Sequence, residues 1–359
     1  MIYQIKPVIG KKEKNNLIDY IKKDNWITEH TVTEDFEKSF SKFTNSKHCI
    51  CFPNGTITMS SILDCLDLKK NDEVLVSNYT MVATANVAKF VGLKVRLVDI
   101  SDNDLCMSPD DLIKKINNKT KVVIYTQMNG RLGQIDHIKK ICRKKKLLLI
   151  EDAAHAIGSY NNKIHVGNSG IASSFSFSMP KLITMGQGGA VITNNSKLAR
   201  RLRLYKNFGR KKSGEDVHKY VGYNFKITDM QSMLGLEQLK TVKFRIKKKK
   251  DIFARYQDKL KNNSKIKFFD IKKGETPWSV DIYLKEIKEV KKIKKVLEKN
   301  NILTRYVYPP LNTQKIYKQF KGLPVSNFFC KRGLWLPSSL DLKNRDIDNI
   351  CKIINKHIN

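Results

Sequence analysis

Between about residue 45 and residue 150 the chain alternates short β-rich runs with helical patterns, and this alternation restricts its fold more than any other feature. Lys47-His48-Cys49-Ile50-Cys51-Phe52 reads as a strand and Ile57 to Leu66 as a helix. Glu73-Val74-Leu75-Val76 is the next strand, followed by a helical stretch through Ala83, Ala85 and Ala88. Val95 to Val98, a helix near Asp110 to Ile116, Lys121 to Tyr125, a helix from Ile135 to Lys145 and the apolar run Leu147 to Ile150 continue the series. Strands joined in this way lie parallel, with the intervening helices crossing over them, so an α/β fold with a mostly parallel sheet covered on both faces is expected. Ahead of it, Phe36, Phe40 and Phe43 stand at helical spacing and predict a core-facing stripe.

Strand signals return at Ser173 to Phe177 and Gly189 to Thr193, and a helical pattern with few breakers runs from about Thr228 to Leu260. The order then changes to a strand from Trp278 to Leu284, a basic helix from Ile287 to Lys299, a strand from Ile302 to Tyr308 and a closing helix from Arg345. We read this as a large domain over residues 1–245 and a smaller C-terminal α/β domain over 246–359.

Charge sets a second limit. The 359 residues carry 68 basic against 34 acidic side chains, a formal +34, and 56 of the basic residues are Lys against 12 Arg. The excess is spread along the whole chain without a nucleic-acid-binding motif, so specific nucleic-acid recognition is not expected, although non-specific binding at low salt is. No apolar run approaches the roughly 20 residues of a membrane span. Met1-Ile2-Tyr3-Gln4 lacks a basic lead-in and an apolar stretch, so no signal peptide is expected. Seven scattered cysteines form no Cys-x-x-Cys pair, which predicts neither a metal site nor a disulfide framework and favours a cytoplasmic, reducing setting.

Four segments have the residue types for chemistry. Asn54-Gly55-Thr56, between a strand and a helix, suits either a phosphate at a helix N-terminus or an ordinary turn with Thr near the cap. Glu151-Asp152-Ala153-Ala154-His155 follows a buried strand, where a carboxylate either faces the crevice of an open sheet or caps a helix. Ser176 and Lys181 precede the turn Thr184-Met185-Gly186-Gln187-Gly188-Gly189; a lysine held there rather than in a charged run is a candidate for desolvation and nucleophilic use. Gly222-Tyr223-Asn224-Phe225-Lys226-Ile227-Thr228 leads into the long helical pattern, with Thr228 as its cap.

In this order the segments resemble the pyridoxal-phosphate-dependent sugar aminotransferases of the DegT/DnrJ type, which share the fold type I architecture and aminate keto-sugar nucleotides. The resemblance rests on Asn54-Gly55-Thr56, Glu151 to Ser159, Phe175 to Lys181, Gly186 to Gly189 and Gly222-Tyr223-Asn224, and it covers most of the chain. Asn25-Trp26-Ile27-Thr28 further resembles the segment near the sugar in perosamine-synthase-like members.

The resemblance implies that Lys181 attaches the cofactor and that Asp152 keeps its ring nitrogen protonated. It gives His155 the ring hydroxyl and Gly55, Thr56 and Ser176 the phosphate, with Asn224 supplied by the second subunit of a homodimer that shares its active sites. Trp26, Thr28, Arg210, Lys211, Lys212, His218, Arg305 and Tyr308 become candidate substrate contacts. L-glutamate is the implied donor, and C4 of a nucleotide-linked 4-keto-6-deoxyhexose the implied acceptor, for surface-glycan or lipopolysaccharide amino sugars. A 3-keto-sugar, an eight-carbon keto-sugar acid and an aminocyclitol precursor are the other acceptors. The branch that removes a 3-hydroxyl has His where this chain has Lys181. Four departures stand out: Met81 in place of a ring-stacking aromatic, Gln187 for Glu, Lys226 for Arg, and His30-Thr31 where a Gly often follows the Trp26 segment.

Overall fold

The computed structural model describes residues 1–211, 214, 216–218 and 220–358. Helices α1 (Lys11–Lys22) and α2 (Thr31–Thr44) precede the alternating region. That region runs β1 (His48–Phe52), α3 (Gly55–Asp64), β2 (Glu73–Ser77), α4 (Val82–Phe90), β3 (Lys94–Val98), α5 (Pro109–Lys115), β4 (Thr120–Thr126), α6 (Ile135–Lys144) and β5 (Leu148–Asp152). A short hairpin, β6 (Tyr160–Asn161) and β7 (Ile164–His165), is followed by β8 (Ala172–Ser176), β9 (Gly189–Thr193) and α7 (Ser196–Lys206).

Seven of these strands form one sheet in the order β1-β9-β8-β5-β4-β2-β3. The pairs from β8 through β3 are parallel, whereas β9 runs antiparallel to both neighbours. Burial explains why these strands read as continuous apolar runs rather than alternating ones: every residue of β2 is buried, because helices cover both faces. The phenylalanine stripe does what its spacing predicts. Phe36 and Phe40 are buried on α2, and Phe40 meets Phe175 and Phe177 edge-on at 5.2 and 5.3 Å.

The expected long helix is two helices, α8 (Asp229–Lys240) and α9 (Val242–Leu260), which meet at Thr241. Thr241 has φ −104° and ψ 8°, a break that the run of helix-forming residues around it hides. Thr228 caps α8 as expected and shares a capping box with Gln231. The expected domain boundary at 245/246 falls near the start of α9.

Beyond α9, β10 (Ile266–Lys267), β11 (Val280–Leu284), α10 (Ile287–Lys299), β12 (Arg305–Tyr306), α11 (Pro324–Phe329), β13 (Gly333–Leu336) and α12 (Asn344–His357) build a second sheet in the order β10-β11-β13-β12. The strand expected from Ile302 to Tyr308 shrinks to Arg305–Tyr306, because Ile302 pairs instead with Ile2 of the N-terminal segment. An Arg131–Asp281 pair, both side chains at most 1% exposed, ties this sheet to the loop after β4 through bonds of 2.8 Å. None of the described helices is long and apolar enough to cross a membrane, and no group of three metal-ligating side chains occurs among the described residues.

Candidate active site

The carboxyl ends of β4, β5 and β8 open onto a cavity of about 510 Å³. It is lined by Gly55, Thr56, Met81, Asp152, His155, Ser176, Lys181, Arg305 and Tyr308 among the candidate residues, together with Thr84, Ser174 and Ser178. Side-chain alternation along β5 divides its two terminal carboxylates. Glu151 is buried and accepts from the backbone N–H groups of Gly167, Ser169 and Gly170 and from Gln127, which fixes that turn. Asp152 lines the cavity and accepts from the Thr84 hydroxyl at 2.7 Å and the Ala154 N–H at 3.2 Å. Burial pushes the Asp152 carboxyl up, and these donors and the Lys181 charge offset the rise only in part.

Lys181 stands across from it, its backbone N–H donating to the Ser178 carbonyl. Burial lowers its amine to about 8, the Arg305 charge pushes in the same direction, and Asp152 opposes both. His155 is held in its neutral form, first by burial and then by the Lys181 and Arg305 charges, and its buried Nδ1 has no hydrogen-bond partner. Arg305 and Tyr308 reach the cavity from the second sheet, with the guanidinium 5.4 Å from the Tyr308 ring centroid.

At the other end of the cavity α3 begins. Asn54, not Thr56, is its cap, accepting from the Ile57 N–H at 2.9 Å; this leaves the Thr56 hydroxyl uncommitted to capping. A Cβ on Gly55 would stand 2.9 Å from the Ser176 Cβ, so only glycine lets the helix start approach β8 this closely. Met81, at the cap position of α4, is 47% exposed along the wall.

The remaining candidates do not line this cavity. Trp26 is 66% exposed and stacks on His30, and Thr28 bridges to Thr228. Asp229 fastens that segment by accepting from the N–H groups of His30, Val32 and Thr33 and from the Thr33 hydroxyl. Arg210 pairs with Asp216, His218 bonds to the Phe208 carbonyl, and Lys211 and Asn224 are exposed. Lys212 lies outside the described residues.

Two contributors had no legible signal. Thr84 is one threonine in an alanine-rich helical run. Trp278, at the entry to β11, stacks on His155 with centroids 4.0 Å apart and planes at 9°, although the two stand 123 positions apart in sequence. Its carbonyl accepts at 2.6 Å from Lys249, a fully buried lysine of α9 that also donates to the Ser338 carbonyl at 2.7 Å.

The sequence profile of the DegT/DnrJ/EryC1/StrS aminotransferase family matches residues 7–355. The chain is 31% identical to the GDP-perosamine synthase of Vibrio cholerae over 367 residues, covering 100% of both. It is 30% identical to that of Escherichia coli O157:H7 over 359 residues, covering 99% of this chain and 97% of the relative. Among solved structures, Helicobacter pylori PseC, an aminotransferase involved in the biosynthesis of pseudoaminic acid, superimposes with a TM-score of 0.94 at 26% identity over 99% of each chain. The chain thus belongs to the DegT/DnrJ/EryC1/StrS aminotransferase family, the pyridoxal-phosphate-dependent sugar aminotransferases of fold type I.

Proposed function

We propose that this chain transfers an amino group from L-glutamate to C4 of a nucleotide-linked 4-keto-6-deoxyhexose, in the cytoplasm, for surface-glycan or lipopolysaccharide amino sugars. The observation that carries this reading is the cavity itself, where a lysine with a lowered pKa, a buried carboxylate and a glycine-started helix face one another.

The residues fit pyridoxal phosphate. The Gly55 approach exposes backbone N–H groups of α3 beside the Thr56 and Ser176 hydroxyls, a donor set suited to a phosphate. Asp152, incompletely compensated in its burial, gains most from a cation placed against it, and a protonated ring nitrogen is one. The unpartnered Nδ1 of a neutral His155 leaves that ring with hydrogen-bonding capacity for the ring hydroxyl. Met81 would cover one ring face with a thioether in place of an aromatic ring. When bound, the cofactor supplies the electron sink for charge developing on the donor's α-carbon.

Lys181 would hold the cofactor through Nζ. As a free amine lowered to about 8 it is neutral in useful amount at neutral pH, so it would take the proton from the donor's α-carbon and return one to the sugar carbon in the second half-reaction. Arg305, with Tyr308 beside it, supplies positive charge for an anionic group of either substrate.

We assign residues 1–245 to the large cofactor-binding domain and 246–359 to the small one that delivers Arg305 and Tyr308. Asn224 completes the site from a second copy in a C2 dimer, and Trp26, Thr28, Arg210, Lys211 and His218 are the proposed substrate contacts. Exposed Tyr220, Val221 and Tyr223 beside Asn224, at 62%, 78% and 45%, support such a partner.

The test has two parts. Borohydride reduction and peptide mapping should place the cofactor on Lys181, and Lys181→Ala should lose its covalent absorbance band. A panel of UDP-, GDP- and dTDP-linked keto-sugars with glutamate should then give a C4 amine by NMR. Amination at C3, or turnover only of an eight-carbon sugar acid or a cyclitol, refutes the acceptor named here.

A further inference from the structure

We infer that Trp278 is a positioning residue for Lys181 and His155, its indole face holding the cationic Lys181 nitrogen without fixing it by a hydrogen bond. The inference rests on the reading that Lys181 carries the cofactor. Trp278 is 4% exposed, just before β11, and packs behind His155 rather than in the cavity wall. Four contacts converge on it. The Lys181 Nζ lies 5.0 Å from its ring centroid, within reach of a cation–π attraction. His155 stacks flat against it. Its Nε1–H donates at 2.8 Å to the carbonyl of Pro180, the residue immediately before Lys181. Trp335 packs edge-on at 5.1 Å and 89°, which sets the indole's tilt.

The alternatives for that place show why an indole matters. The charged and titratable groups around Lys181 are Asp152, which favours its cation, Arg305, which opposes it, and His155, kept neutral. Tyr308 faces the same cavity with its hydroxyl pushed up to about 12 by burial, so it stays uncharged there. A second carboxylate would raise the amine and tether it along one bond direction. A π face attracts positive charge over a broad area, so the nitrogen keeps its freedom to move between the attached and free states. The Pro180 bond meanwhile fixes the backbone from which the side chain swings. His155, whose Nδ1 is unpartnered, takes its ring plane from the same indole.

The experiment uses the holoenzyme and reads the pH titration of the covalently held cofactor's absorbance, after peptide mapping of the reduced protein has located the attachment. Trp278→Leu removes the π face and should move the midpoint to lower pH by about one unit, whereas Trp278→Phe, which keeps a weaker face, should fall between it and the parent. Fluorinated tryptophans give the same reading in a fold left intact. Incorporated at position 278 alone, with Trp26 and Trp335 kept, they should step the midpoint downward with each added fluorine as the ring loses its negative face. A midpoint indifferent to fluorination, or a Leu variant that titrates like the parent, overturns the inference while leaving the role of Lys181 intact. Attachment at another lysine overturns both.

Discussion

Lys249 offers a quantitative test of how this protein tolerates charge in its interior. Its amine is buried, no carboxylate among the described residues pairs with it, and burial lowers it from 10.5 to about 7. A lysine depressed in the fold is protonated in both states below pH 7 and neutral in both above 10.5. Between those limits the unfolded chain holds more protons, so stability must rise with pH across that window. At about 1.36 kcal/mol per pH unit the full shift corresponds to about 5 kcal/mol, an upper bound. The bonds to the Trp278 and Ser338 carbonyls favour the charged form, at about 1.5–3 kcal/mol for a hydrogen bond to a charged group, and reduce the net effect. Two such bonds at the low end of that range remove about 3 kcal/mol, so we expect about 2 kcal/mol. Urea unfolding of the parent and of Lys249→Met, at pH 7, 8, 9 and 10 with fixed ionic strength, isolates it, since all other titrations are common to both proteins. The parent should gain on the variant by that amount between pH 7 and 10. A difference flat to within about 0.5 kcal/mol, or one that falls with pH, refutes the account of Lys249 as an unpaired buried cation.

Other consequences follow from the same structure. Asp281→Asn strands the buried Arg131 guanidinium and should cost about 3–5 kcal/mol in urea unfolding, with little change in the cofactor spectrum of the protein that remains folded. In the cofactor-free protein, limiting acetic anhydride should label Lys181 with a midpoint near pH 8, well below its surface lysines, and Arg305→Ala should raise that midpoint because the guanidinium charge helps to lower it. Asp152→Asn should retain cofactor through the phosphate residues yet lose several orders of magnitude in turnover, measured by single-turnover loss of the cofactor band with glutamate, because a neutral amide cannot hold the ring proton. Mixing Lys181→Ala with Asn224→Ala protein under conditions of verified subunit exchange should restore activity above that of either alone; no recovery would mean that each site is built from one chain.

The sequence carried much of this because its strands and motifs are local. The buried runs from β1 to β5 announce themselves through continuous apolar residues, and Gly55, Asp152 and Lys181 each sit at a strand end or turn where residue type is restricted. What escaped it depends on distance. Nothing near Trp278 marks it as a partner of His155, and the pairing of Ile2 with Ile302, which shortens the strand around β12, joins opposite ends of the chain. The break at Thr241 escaped for a different reason: the helical pattern continues on both sides, and only the φ and ψ of that residue depart from helix.

The division of labour at the end of β5 has a consequence for how such a chain can diverge. Glu151 anchors the turn at 167–170 on one face of the sheet and Asp152 serves the cavity on the other. A single-residue insertion or deletion within that strand would exchange the two carboxylates, stranding one in a loop pocket and leaving the cavity without its acid. The strand is thus a fixed ruler, and length variation has to be absorbed elsewhere. The turns of the second sheet lie outside that strand and are free of that constraint.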